Sequence, residues 1–558
     1  MPHHFRTTPP SLTRLRAIAV ALPLSIGLTA CFKAPDTPVV MTPKAVNAAA
    51  VPTAVDWVKP DGASVEAIFA KAKANNTPLM LYWGAVWCPP CNQIKATVFN
   101  RPDFVEKSRA FVPVYLDGDT QGAQKLASNF KVRGYPTTIL FKPDGTELTR
   151  LPGEVDAVQF MQLLSLGLAA TQGIKETLAQ ALAGPGNNEA PLTADAWRRL
   201  AFYSWDTDEA QLVAKKDLGT TVLQLAQKCP PHFEASAVRL TLKAAAITAQ
   251  EKLPGLDKVQ ALATLRGVLS DASRARDNVD ILSYYANDIV STVTVHGSPE
   301  RAALLATWNT ALDKLLRDTA LSQADQLGAA QAKVTLTEIG LPSSTGPSAP
   351  GKPVAKPVRD ATLVAIAREA AAKADKNTTD KFERQAVIPS AAHLLSDVGL
   401  IDESDSMLQT ELPKAVSPYY HMLVLAANAR QRGDVKASLD WAEKAYASSV
   451  GPATRLQWGS GFVAKLVELS PEDSARIQKA AAQVIGELDA VPETFYERNQ
   501  RSLGKMAKQL DTWSTKNNQT PVLKKLTAQL NAVCAQLPQQ DIARDACSNV
   551  FRQARKKA

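Results

Sequence analysis

Two cysteines with one turn's spacing, Cys88 and Cys91, stand in the segment Trp87-Cys88-Pro89-Pro90-Cys91. On a helix, residues at this spacing share a face, close enough for the two sulfurs to form a disulfide. The alternative use of such a pair is half of a zinc site. Zinc wants four ligands, usually from a second Cys/His pair. The sequence has no second C-x-x-C and no paired histidines at ligand spacing, so the pattern favours a redox-active dithiol.

The flanking residues dictate where that pair must sit. Pro78-Leu79-Met80-Leu81-Tyr82-Trp83 has the length and residue types of a strand, and Asn92–Phe99 can run as a helix. Cys88 then lies where a strand hands over to a helix N-terminus. Unpaired backbone N–H groups and the positive end of the helix dipole favour a thiolate there. Pro89 and Pro90 stiffen the turn and are tolerated in a first helical turn, where the missing N–H costs nothing.

About 45 residues downstream stands Gly134-Tyr135-Pro136-Thr137-Thr138, followed by Ile139-Leu140-Phe141, a Pro143-Asp144-Gly145 turn and a further strand candidate, Thr146–Leu151. Together with the dithiol this resembles the thioredoxin fold, in which a proline after a cis peptide bond faces the cysteines. The resemblance covers roughly Asp56–Ala170. Within the superfamily it is similar to periplasmic modules such as the C-terminal domain of membrane thiol:disulfide interchange reductases. It implies that Pro136 is the cis-proline, that the backbone at Tyr135–Pro136 pairs with a substrate strand, and that Cys88 and Cys91 are catalytic. Trp87 either shields the thiol as part of the substrate surface or simply packs. The sequence departs from thioredoxin itself at two places. The buried acid normally six residues before the first cysteine is Tyr82, and its lysine partner is replaced near Tyr115.

The remaining elements of that region read in the order such a core requires. Ser64–Asn75 is a helix with Val65, Ile68, Phe69 and Ala72 on one face. Pro102–Arg109 is a short helix, Phe111–Leu116 a strand, Gln121–Phe130 a helix, Thr137–Leu151 a hairpin and Val155–Leu168 a closing helix. The fold class expected is an α/β thioredoxin-like domain, a central mixed sheet flanked by helices, followed by a large all-α, repeat-like region.

Ahead of it, residues 1–30 carry the basic residues Arg6, Arg14 and Arg16 and then the short apolar stretch Ala17–Ala30. That stretch is too short for a permanent membrane span and suits a signal peptide. Leu28-Thr29-Ala30-Cys31 resembles a bacterial lipobox, which implies lipidation of Cys31; the alternative is an ordinary signal peptide with a chance cysteine. Phe32 in place of an aspartate leans towards the outer membrane by the habit of that family. Residues 31–55 are rich in Pro and Ala and read as a tether. The expected location is thus the bacterial cell envelope, facing the periplasm.

Beyond Ala170 strand signals vanish. Residues 171–340 and 359–558 read as helical, separated by a Pro/Gly-rich linker over 341–358, with a further boundary at Gly184-Pro185-Gly186. Val259, Leu262, Ala263 and Leu265 are expected on one apolar face. Gly433–Ala445 resembles the second helix of a tetratricopeptide repeat. Such arrays recruit partners; the alternative is a helical domain packed on the thioredoxin-like core for stability.

The other cysteines sort by context. Cys534 and Cys547, thirteen residues apart, are expected to form a structural disulfide, the alternative being a second redox relay. Cys229 ends the apolar series Val222, Leu225, Ala226 and reads as a buried, inert thiol. His232, His296, His393 and His421 show no ligand spacing, and no metal or cofactor is called for.

The formal net charge of +9 over 558 residues falls to about +6 without the three N-terminal arginines, and no basic stripe with interleaved aromatics occurs. Nucleic acid is therefore not an expected partner, and the basic end Arg552–Lys557 reads as a solvated helix end. The function expected is thiol:disulfide exchange with protein substrates and an unidentified redox partner. The alternative is a non-enzymatic envelope scaffold that carries a thioredoxin-fold module.

Overall fold

The computed structural model describes residues 54–60, 64–120, 123–132, 134–153, 155–184, 190–205, 212–251, 254–339 and 359–552. The signal segment, Cys31, Phe32, nearly all of the tether and the 341–358 linker lie outside the described residues, as does the basic end beyond Arg552.

The sheet is built on the apolar run seen in the sequence. Strand β1 (Leu79–Gly84) is buried along its whole length, as befits a central strand covered on both faces. It pairs in parallel with β2 (Val112–Asp117) and antiparallel with β3 (Thr137–Phe141), which pairs antiparallel with β4 (Glu147–Leu151). The strand order is β2-β1-β3-β4, a mixed sheet of the thioredoxin-like kind. The β3–β4 turn uses Gly145 at φ 89°, a conformation glycine adopts without strain, while the Asp144 carboxylate accepts from the Thr146 N–H at 2.9 Å.

Period-2 alternation divides β1 between two cores. Leu79, Leu81 and Trp83 face α1 (Val65–Ala74), where Val65, Ile68 and Ala72 are buried, and Ala127 and Val132 complete that layer. Ser64 caps α1 by accepting from the Ala67 N–H at 3.1 Å. Met80 and Tyr82 face the opposite layer. There α2 (Pro89–Ile94), a π-helical turn over Lys95–Phe99, α3 (Pro102–Lys107) and α5 (Ala157–Leu168) bury Ile94, Val98, Phe99, Phe104 and Phe160. A short helix, α4 (Ala123–Asn129), follows β2.

This second core does not stop where the sequence changes character. It runs on through Ile174, Trp197, Phe202, Trp205, Val222 and Leu240 of the following helices. Arg199, buried in the Ala194–Ala201 helix, donates to the carbonyl oxygens of Leu148 and Gln172 at 3.1 and 3.2 Å. It thereby ties a helix to edge strand β4, the covering such an edge needs.

The rest of the described chain is helical. The Lys258–Ser270 helix buries Ala261, Leu262, Leu265, Val268 and Leu269. The expected face is therefore corrected: Val259 is 81% exposed and Ala263 is also exposed. Apolar periodicity fixed the helix, but Val259 projects outward from its first turn and the packed stripe turns towards Val268 instead. Helices Tyr419–Arg432 and Val435–Ser448 form an antiparallel pair joined at Gly433 (φ 80°), with Ser438, Ala442 and Ala445 buried between neighbours. Cys534 and Cys547 are joined by a disulfide between the Thr520–Ala535 and Ile542–Ser548 helices. Among the described residues no helix is long and apolar enough to cross a membrane.

Candidate active site

Cys88 is the N-cap of α2, and its sulfur lies 3.3 Å from the Cys91 N–H, which points at it. Pro89 and Pro90 open the helix, as the missing donors allow. The two cysteines are joined, with Cα atoms 5.2 Å apart. Upstream, the buried Asn92 reaches back to donate to the Val86 carbonyl at 2.8 Å, fastening the loop that carries Trp87.

Opposite the pair, the Tyr135–Pro136 peptide bond is cis. The Tyr135 carbonyl oxygen lies 3.7 Å from the Cys88 sulfur, within range of a weak S–H donor in the reduced form. Tyr135 itself fits against Gly118, where an added Cβ would come within 2.2 Å of its ring. The structure thus brings Trp87, Cys88, Tyr135 and Pro136 to one end of the sheet.

Beneath Cys91, the hydroxyl of Tyr82 donates to the Cys91 carbonyl oxygen at 3.4 Å. Burial, with Tyr115 beside it, pushes the Tyr82 phenol well above its ordinary value. A phenol held neutral cannot take the proton of Cys91, so the carboxylate missing from the sequence is not replaced by a base at this position. Asp117, at the end of β2, is held above the usual carboxylate range, chiefly by burial.

Sequence reasoning missed the other half of the site. Cys88 and Cys91 are each only 3% exposed, because C-terminal helices close over them. The indole of Trp87 stacks at 6.1 Å on Tyr420, and the Arg498 guanidinium sits 4.4 Å above its centre. Asp119 joins the two parts: it accepts hydrogen bonds from the Trp87 indole N–H and the Thr454 hydroxyl, and its other oxygen is 3.7 Å from Arg498. Trp87, Cys88 and Cys91 belong to the same buried cluster as Tyr419, Trp458, Phe462 and Met506. These contacts join residues more than 300 positions apart, and no local pattern announces them.

A cavity of about 680 Å³ remains between the α2 edge and these helices, bounded by Cys88, Pro89, Tyr135, Gly461 and Arg498 among others. The remaining candidates lie elsewhere. Cys229 is a buried free thiol that burial pushes up to about 12. His296 contacts Arg301 and His393 contacts Asp397, and the described residues contain no cluster of three metal-ligating side chains.

Comparison with known proteins adds to this geometry. The thioredoxin-like domain family matches residues 65–167. The chain is 33% identical over 104 residues to the thiol:disulfide interchange protein DsbD of Pseudomonas fluorescens, covering 18% of each chain. It is 32% identical over 103 residues to DsbD 2 of Pseudomonas aeruginosa, covering 18% of each, and 30% identical over 95 residues to DsbD of Klebsiella pneumoniae, covering 16% of each. The chain thus spans less than a fifth of the length of these relatives. Residues 65–167 are a thioredoxin-like domain with a cysteine pair at disulfide distance.

Proposed function

We propose that the protein is a thiol:disulfide oxidoreductase working through Cys88 and Cys91. The observation that carries this reading is the joined pair at a helix N-terminus, facing the cis Tyr135–Pro136 bond. In the reducing direction the Cys88 thiolate attacks one sulfur of a substrate disulfide. A mixed disulfide forms and one substrate thiolate leaves. The Cys91 thiolate then attacks the Cys88 sulfur, forming Cys88–Cys91 and releasing the second substrate thiolate. Two electrons pass to the substrate, and the reverse sequence oxidises a dithiol. The helix N-terminus favours Cys88 as the attacking thiolate. With Tyr82 neutral, removal of the Cys91 proton needs water or another base. The backbone at Tyr135–Pro136 receives the substrate chain, and Trp87 walls the site.

In this reading the protein is anchored through a lipid on Cys31 and faces the periplasm, and the name of the DsbD proteins it resembles, thiol:disulfide interchange protein, fits the exchange chemistry. The lipobox-like sequence supports the anchor, with the outer membrane favoured by Phe32. The helix pair about Gly433 supports a repeat-like array that positions partners. The burial of both cysteines favours a second reading, a scaffold with a permanently closed disulfide.

Equilibration in glutathione buffers, followed by alkylation and mass spectrometry of Cys88 and Cys91 with Cys88→Ser as control, separates the two. A potential near roughly −270 mV marks a reductant and one near roughly −120 mV an oxidant. A pair that never exchanges leaves the scaffold.

A further inference from the structure

The cavity beside Cys88 has an uneven charge. Its floor is the buried Cys88 and the half-buried Tyr135, and its rim reaches solvent at Arg501 and Lys505. Arg498, Arg501 and Lys505 line it, and no Asp or Glu does. Two of these cations already have partners: Arg498 stands 3.7 Å from Asp119, and Arg501 donates to Glu497 at 3.0 Å. Lys505 makes no ion pair among the described residues. Low-dielectric walls focus such a field and raise the local concentration of anions.

Size sets a second limit. A volume of about 680 Å³ lies in the range of small-ligand pockets. The face of a folded partner, about 800 Å² in a standard interface, finds no room against a cysteine this deep. At Gly461 the wall recedes, since an added Cβ would meet nothing within 4 Å.

Resting on the proposed exchange reaction, we infer that this cavity selects its substrate: an extended chain segment carrying carboxylates beside its cysteine. The segment reaches the Cys88 sulfur past Gly461 while its acidic side chains lie against Lys505 and Arg501. The helical region thus acts as one wall of the substrate site.

The full chain, reduced, is mixed with short unstructured peptides whose single cysteine is capped by 2-mercaptoethanol and flanked by Glu, Gln or Lys. Each rate is divided by that of the same peptide with dithiothreitol, which removes the peptide's own reactivity. The expected order is Glu, Gln, Lys, with Glu over Lys roughly tenfold at low salt and the ratio shrinking at 1 M salt. Lys505→Glu, a change at an exposed side chain, reduces that ratio severalfold. Gly461→Leu, which narrows the passage, slows the Glu peptide more than it slows 2-hydroxyethyl disulfide. Equal normalised rates for the three peptides, or a faster Lys peptide, overturn the inference. If 2-hydroxyethyl disulfide itself is not reduced, the exchange reaction has failed and not merely its selectivity.

Discussion

Cys88 and Asp119 show how differently two residues of one site announce themselves. Cys88 is legible because its chemistry depends on neighbours in sequence: a strand before it, two prolines and a thiol one turn later. Asp119 is one of two acids at the end of a strand, and its meaning comes from Trp87, Thr454 and Arg498, each brought by another element. Two predictions belong at this scale. Replacing Cys91 by serine removes the resolving thiol, so substrate should remain attached to Cys88, whereas Cys88→Ser should capture none. Mass spectrometry after alkylation reads both, and equal capture by the two variants refutes the assignment of the attacking sulfur. Replacing Asp119 by alanine leaves the buried Trp87 indole N–H without its acceptor and Arg498 without its carboxylate. We expect a loss of roughly 2–4 kcal/mol in urea unfolding, against about 1 kcal/mol for Thr454→Val. A Thr454-sized effect from Asp119→Ala would mean that Asp119 does not hold the junction.

At the scale of the element, legibility follows locality. The β1 run, the Ser64 cap and the Asp144-Gly145 turn are encoded by adjacent residues, and each appears where periodicity and turn chemistry place it. Val259 misleads because period identifies an apolar stripe without saying which part of it meets a neighbour. The Cys534–Cys547 bridge holds the short Ile542–Ser548 helix to the longer one before it, with both cysteines 1% exposed. Converting both to serine should cost about 3 kcal/mol, read as a lower urea midpoint; an unchanged midpoint would show that packing alone holds that helix. His421, fully buried in the Tyr419–Arg432 helix, supplies a pH dependence. Burial lowers it to about 4, outweighing the nearby Glu411, against an unfolded value near 6.5. Between these values the unfolded chain binds the extra proton. Stability from this group is therefore intact above about pH 6.5 and is lost as pH falls towards 4, by up to roughly 3 kcal/mol. His421→Gln should flatten that slope in unfolding titrations from pH 7 to 4.5, and an unaltered slope would assign it to other groups.

For the whole molecule, the composition change near Ala170 suggests separable parts, yet side-chain packing runs across it. One core joins β1, β4 and α5 to Trp197 and Trp205; another joins Trp87, Cys88 and Cys91 to Tyr419, Phe462 and Met506. On a third side, Lys95 after α2 lies 4.5 Å over the ring of Phe382 in the Lys381–Asp397 helix. The thioredoxin-like domain is held both by the helices that follow it directly and by helices of the C-terminal region. Packing of the helices on the core is one of two readings the sequence allows, but which faces meet is not legible there, because hydrophobic period gives each helix a sticky face and leaves its partner open. A consequence follows for unfolding. A domain joined only by linkers would melt by itself, but here its loss would expose Trp197, Tyr419 and Phe462, so the helices should lose their packing with it. With the active-site pair reduced, labelling of Cys88 and Cys91 by a thiol reagent during urea unfolding should therefore follow the loss of helical circular dichroism, with a common midpoint. Cys229→Ser removes the free thiol outside the active-site pair among the described residues, so that labelling reports Cys88 and Cys91 together while Cys534–Cys547 stays closed. Labelling that runs well ahead of the helical signal would mean that the C-terminal cover opens on its own. The buried dithiol would then be reached through that opening, and the cavity beside Cys88 would be the closed form of a wider site.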